Sequence, residues 1–222
     1  PTTFDATSRR RLFGIYGQAV LGFKDQLYLT LNARNDWSST LPIDNNHFFY
    51  PGANLSWVAS RTFDLGNSPI SYLKFRAGYG KTGFDAAPYQ LYPVLVIGNV
   101  TLPFGSITFP FNGVSSFLIQ NSIANAKLQP VFTKEAEAGV EIRFFHDRLG
   151  IDATVYDKRT DGQIFNVPIA PSTGYTSLVQ NLGLVSNNGV EISFNAKPVE
   201  STNFHRDLTF NFSKHRNNVI KL

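Results

Sequence analysis

Three carboxylates, Glu135, Glu137 and Glu141, fall at even spacing along one stretch, so on an extended chain they share a face and could act as a general acid and base pair. Lys74, Arg76 and Arg143 occupy the equivalent face of their own segments, and paired charges on a hydrated face account for all six. Gly78-Tyr79-Gly80-Lys81-Thr82-Gly83 satisfies the dinucleotide spacing G-x-G-x-x-G, but Phe84 to Tyr89 leads into a proline-spaced loop and not into the helix that would receive a pyrophosphate. The glycines read instead as part of a curved strand. His47, His146, His205 and His215 lie in or near loops and strand ends without ligand spacing, no Ser sits in G-x-S-x-G, and the chain has 0 Cys. The expectation is a protein with no enzymatic activity, no cofactor and no metal.

The elements that carry these residues alternate with period 2. Leu27, Leu29, Leu31 and Ala33 oppose Tyr28, Thr30, Asn32 and Arg34, which gives one strand an apolar and a polar face. Segments around Phe13, Leu55, Leu73, Ala136, Leu149, Val190 and Leu208 repeat the pattern, making eight candidate strands. Tight links at Phe23–Gln26 and Phe145–Arg148 alternate with long ones at Asn35–Phe49, Thr82–Val131 and Lys158–Gln180, while Arg61–Ser71 and Pro198–Arg206 are moderate. Long loops kept at one end are the habit of outer-membrane barrels, whose periplasmic turns are short, and a soluble sandwich has no reason for it. One signal cuts across this count. Asn187-Asn188-Gly189 lies between two apolar runs, where it is either a hairpin turn adding a ninth strand or a bulge or kink in one long strand from about Asn181 to Lys197.

Composition agrees with strands and turns. Aromatics make up 14% of the 222 residues, alongside 17 Gly and 12 Pro, which excludes an all-α chain. The net charge of +4 comes from scattered Lys and Arg and is too diffuse for a nucleic-acid partner. There is no run long enough for a spanning helix and the first residues do not form a signal peptide, but spanning strands need only about 9 to 11 residues and escape hydropathy averaging.

A set of motifs then narrows the class. Tyr16-Gly-Gln-Ala-Val20, Leu31-Asn-Ala-Arg-Asn-Asp-Trp-Ser-Ser-Thr-Leu-Pro42, Phe48-Phe-Tyr-Pro51, Ile70 through Gly83, Glu135-Ala-Glu-Ala-Gly-Val-Glu141, Asp161-Gly-Gln-Ile164, Ser172-Thr-Gly-Tyr175 and Asn187-Asn-Gly-Val-Glu191 occur in this order. Together they resemble the SusC/RagA family of TonB-dependent outer-membrane transporters. The resemblance implies an all-β antiparallel barrel of about 22 strands around a plug. It also implies a bacterial outer-membrane location among lipid and lipopolysaccharide, coupling to the TonB complex, a SusD-like lipoprotein lid, and an oligosaccharide or peptide as cargo. Residues 1–222 are then expected to form part of a single barrel domain, the plug and TonB-box segment lying outside this chain. The polar face of Arg34, Lys74, Arg76, Glu135, Glu137, Glu141, Arg143 and Glu191 would line the lumen.

Trp37, Tyr89, Tyr92, Phe104, Phe109, Phe111 and Phe117 are the candidate substrate or lid contacts. Aromatics in a long, weakly charged loop either stack on a partner or pack the loop itself, and the sequence leaves both open. Two other classes also remain: a complete small structural or adhesive barrel of eight strands, and a secreted β-sandwich that binds glycan.

Overall fold

The computed structural model describes residues 7–98, 100–201 and 204–222. Its strands are β1 (Leu12–Phe23), β2 (Leu27–Ser38), β3 (His47–Val58), β4 (Ile70–Phe84), β5 (Leu95–Ile97), β6 (Val100–Leu102), β7 (Gly105–Ile107), β8 (Phe117–Ile119), β9 (Ser122–Ile123), β10 (Val131–Phe144), β11 (Leu149–Pro168), β12 (Ser177–Ser201) and β13 (Phe204–Lys221). The eight long strands pair antiparallel in the order β1-β2-β3-β4-β10-β11-β12-β13, with β1 and β13 as open edges. All four short-end connections and all three long-end connections lie on opposite ends of this sheet, as the alternation predicts. At the short end the chain turns through Lys24 and Asp25, and through Phe145, His146 and Asp147, all with positive φ. Asp and its neighbours tolerate that conformation in a two- or three-residue reversal.

The strands run further than period 2 indicates. β11 and β12 consume most of the expected Lys158–Gln180 loop, leaving 169–176, and β12 and β13 continue through most of Pro198–Arg206, whose residues 202 and 203 lie outside the described residues. At the other side, 59–69 holds a single helical turn, α1 (Ala59–Thr62). The contrast between the two ends therefore rests on strands projecting past the membrane-sized portion and on the loop 85–130, more than on loop length throughout.

β12 passes through Asn188-Gly189 without a turn, each residue paired in register with Asp157 and Tyr156. There is no hairpin there and no bulge against β11. A kink sits higher, where Gly162 (φ 68) and Gly183 (φ 81) face each other between Asp161↔Leu184 and Gln163↔Leu182 with the β11 register unbroken. Only glycine adopts that backbone without strain in a strand. Against β13 the register of β12 shifts between Leu184 and Val185 and between Ala196 and Val199.

Apolar side chains form rows across one face. One runs Leu21, Leu29, Leu55, Ala77, Ala138, Val155, Val190, and the next Phe23, Leu27, Trp57, Phe75, Val140, Ala153, Ile192, Phe212. They are bare: Val155 is 55% and Phe23 60% exposed. A soluble chain does not leave such an area open, whereas lipid covers it at no cost. The buried core lies elsewhere, at the foot of the 85–130 loop, where Leu41, Phe48, Ala86, Leu128 and Val179 pack together.

Candidate functional site

The opposite face is polar, and register assembles it row by row. Lys74 pairs with Glu141, which pairs with Asp152. Gly78 pairs with Glu137, which pairs with Tyr156. Gly80 pairs with Glu135, which pairs with Lys158. Strand geometry alone thus brings Lys74, Arg76, Glu135, Glu137, Glu141 and Arg143 onto one surface, with Arg34 and Glu191 continuing it at the two flanks.

Most of these charges are paired. Arg76 holds Asp152 with both guanidinium ends, Nη1 donating to Oδ2 at 2.8 Å, and Nη2 also donates to Thr154 at 2.6 Å. Glu141 accepts from Arg143 at 2.6 Å and lies 3.7 Å from Lys74. Glu135 is 3.6 Å from Lys158, and Arg34 Nε donates to Asp36 at 2.8 Å. Glu137 and Glu191 have no ion pair among the described residues. Asp152, Lys158 and Asp36 complete pairs whose other halves the sequence identified. Their own alternation put them on this face, but which cross-strand neighbours meet was not available without register.

Glycines widen the surface. Gly52, Gly78 and Gly80 leave bare backbone in a recess of about 630 Å³ bordered by Tyr16, Asn32, Arg34, Tyr50 and Glu137. A β-carbon on Gly78 would come within 2.5 Å of Asn54 Oδ1 and 2.8 Å of Glu137 Oε1. The G-x-G-x-x-G spacing is therefore a strand whose missing side chains make room.

Above the recess, Asp85 ties the start of the long loop to the wall. Arg10 donates to it through Nε (2.7 Å) and Nη2 (2.6 Å), Thr40 donates at 2.9 Å, and Ser38 donates to the same carboxylate. Burial pushes the Asp85 carboxyl up, but these donors outweigh it and hold the group below the usual carboxylate range. Asn181 clips the loop's far end, accepting from the Gln129 amide at 2.9 Å and donating to its carbonyl at 2.8 Å.

Most of the loop aromatics stay outside that anchorage, while the Tyr89 hydroxyl accepts from the Arg9 amide at 3.1 Å. Phe104 is 87%, Tyr92 67%, Phe117 60%, Phe111 55% and Tyr89 49% exposed, and Phe109 is half-buried. Packing is done by Ala86 and Leu128, which nothing in the sequence distinguished from other loop aliphatics. Trp37 stands apart from this group, on the face of Leu31 and Ala33, with its ring 5.5 Å from that of Phe13.

An antiparallel sheet with one bare apolar face, one charge-paired polar face and elongated strands at one end is a section of a membrane β-barrel wall. The family model described as "TonB dependent receptor-like, beta-barrel" matches residues 1–219, and the chain belongs to that family of outer-membrane proteins. It is 30% identical over 215 residues to TonB-dependent receptor P26 of Formosa agariphila and 28% identical over 223 residues to TonB-dependent receptor SusC of Bacteroides thetaiotaomicron. These alignments cover 96% and 97% of this chain and 21% of each relative, so the chain spans about a fifth of the length of the curated relatives it matches. Among solved structures, the RagAB peptide transporter superposes with a TM-score of 0.82 at 20% identity, over 96% of this chain and 22% of that one. The siderophore receptor PirA of Pseudomonas aeruginosa gives 0.63 at 14% identity, over 96% and 36%. The SusC/RagA resemblance holds, and the relatives are receptors and transporters.

Proposed function

We propose that this chain forms part of the wall and outer mouth of a TonB-dependent importer of oligosaccharides or peptides, with no catalytic role of its own. Its polar face lines the lumen, and its loop aromatics contact cargo or a SusD-like lipoprotein lid. Energy coupling belongs to a plug and TonB-binding segment elsewhere in the whole protein. The observation that carries this reading is the exposure of Tyr89, Tyr92, Phe104, Phe111 and Phe117 on a loop whose packing is already supplied by Leu128 and Ala86. Rigid aromatic faces held out on an anchored loop suit stacking on sugar rings or docking to a protein surface. The polar face supports passage and not chemistry, because Asp36, Glu135, Glu141 and Asp152 are engaged by cations in place of a reacting group.

The test is deletion of residues 103–117 from the full-length transporter, with uptake and lid co-purification measured side by side. Loss of uptake with the lid retained identifies cargo contact, and loss of both identifies a docking surface. Unchanged uptake and lid in an assembled barrel would refute a role for the loop. Phe104→Ala alone should weaken uptake only partly, each stacked ring being worth on the order of 1 kcal/mol.

A further inference from the structure

Above its apolar rows, the lipid-facing side of the sheet changes character. Lys81 on β4 and Lys134 on β10 are register partners, and Arg159 on β11 is the next partner of Lys134. All three continue the outward alternation of Phe75-Ala77-Tyr79, Val140-Ala138-Ala136 and Ala153-Val155. Lys81 Nζ lies 3.5 Å from the centroid of Phe132, a diagonal neighbour on that same face. Lys214 on β13 extends the outward series Leu208, Phe210, Phe212.

These cations share a height. Counting from the tight-turn end, Lys134 is ten residues from Phe144, Arg159 ten from Leu149, Lys214 ten from Phe204 and Lys81 eleven from Ile70. A strand tilted by about 40° climbs roughly 2.5 Å per residue, so all four stand about 25 Å above the turns, the thickness of a barrel's apolar band. On β1 and β2 the same level carries the Phe13 and Trp37 rings.

Two lysines directly opposite one another destabilise a sheet unless an anion sits between them. Asp157 offsets Arg159 at 2.9 Å, but Lys81, Lys134 and Lys214 have no carboxylate partner among the described residues. The anion available at that height, on that side, is the phosphate of a lipid whose own chains rest on the apolar rows beneath. We propose that Lys81, Lys134, Arg159 and Lys214 hold the phosphate-bearing headgroup of an outer-leaflet lipid. The ammonium groups act as point charges and the guanidinium as a fork. This rests on the long loops facing outward, which labelling at Ser116 tests by itself.

The experiment titrates purified full-length transporter with bisphosphorylated lipid A, dephosphorylated lipid A and inorganic phosphate, following the unfolding temperature and lipid retention by native mass spectrometry. Bisphosphorylated lipid A should stabilise the protein more than the dephosphorylated form. Lys81→Gln, Lys134→Gln and Arg159→Gln should each weaken its apparent affinity about fivefold, and together multiplicatively. Lys127→Gln, on the loop, should not. Should the triple variant fail to assemble, the single variants carry the same titration. Equal binding of the two lipid forms, or unchanged affinity in the variants, overturns the proposal. Inorganic phosphate binding as well as lipid A would show an ion site in place of a lipid site and would overturn it too.

Discussion

Replacing Leu31 by Arg tests the assignment of faces most directly. Leu31 stands four residues up β2 from Leu27, between Ala19 and Ala53, and is 42% exposed. With the strand tilted by about 40°, that is roughly 10 Å above the turns, close to the middle of a band about 25 Å tall. An arginine there should cost about 2 to 4 kcal/mol. Val140→Arg, four residues up β10 from Phe144 on the same face, should cost as much. Asn32→Arg, one residue away on the polar face, loses only the hydrogen bond that Gln18 Nε2 donates to Asn32 Oδ1 at 2.8 Å, worth about 1 kcal/mol. The assay is equilibrium unfolding in guanidinium of the full-length protein folded into liposomes. Equal costs at Leu31 and Asn32 would refute the division into lipid and lumen faces.

The other expected outcomes concern the mouth and the sidedness. A Cys at Ser116 should react with an impermeant maleimide on whole cells, while one at Asp147 should react only after the outer membrane is opened; surface reaction at Asp147 would invert the topology. Leu128 is fully buried among Leu41, Phe48, Ala86 and Val179, so Leu128→Ala should loosen the 85–130 loop by about 2 to 5 kcal/mol and speed its hydrogen exchange while strand amides stay protected. The Asp85 carboxyl is depressed in the folded protein, so its share of loop anchorage is complete above the ordinary aspartate value of about 4 and is lost as pH falls through the folded value. Protease sensitivity of the loop should therefore rise only in acid below pH about 4, and Asp85→Asn should give that sensitivity at neutral pH.

Much of the wall was legible because period 2 is dictated by the backbone: the faces holding Leu31 and Asn32, or Val140 and Glu141, follow from parity alone. Strand ends were less so. Alternation lapses at Gly162, Gly183 and Pro198, where a reader of sequence stops a strand that hydrogen bonding carries on. Asn188-Gly189 misleads for a related reason, since a hairpin preference is local while β11 and β13 impose an extended partner on both sides. In the mouth, the aromatics announced themselves, but the anchors did not: Asp85, Arg10 and Thr40 meet through contacts spanning 75 and 45 residues, which no local pattern encodes.

The facing glycines of β11 and β12 place a matched kink in two strands without changing their phase. Both strands bend at the same level with no residue gained or lost, so the pairing continues above the kink with the strands still in step, Gln163 against Leu182. Had one strand carried an extra residue there, every side chain beyond it would have turned over relative to its partner. Single-residue insertions or deletions near Gly162 are therefore far more disruptive than their position on a projecting arm suggests, and only a matched change at Gly183 would return the arm to its original sense.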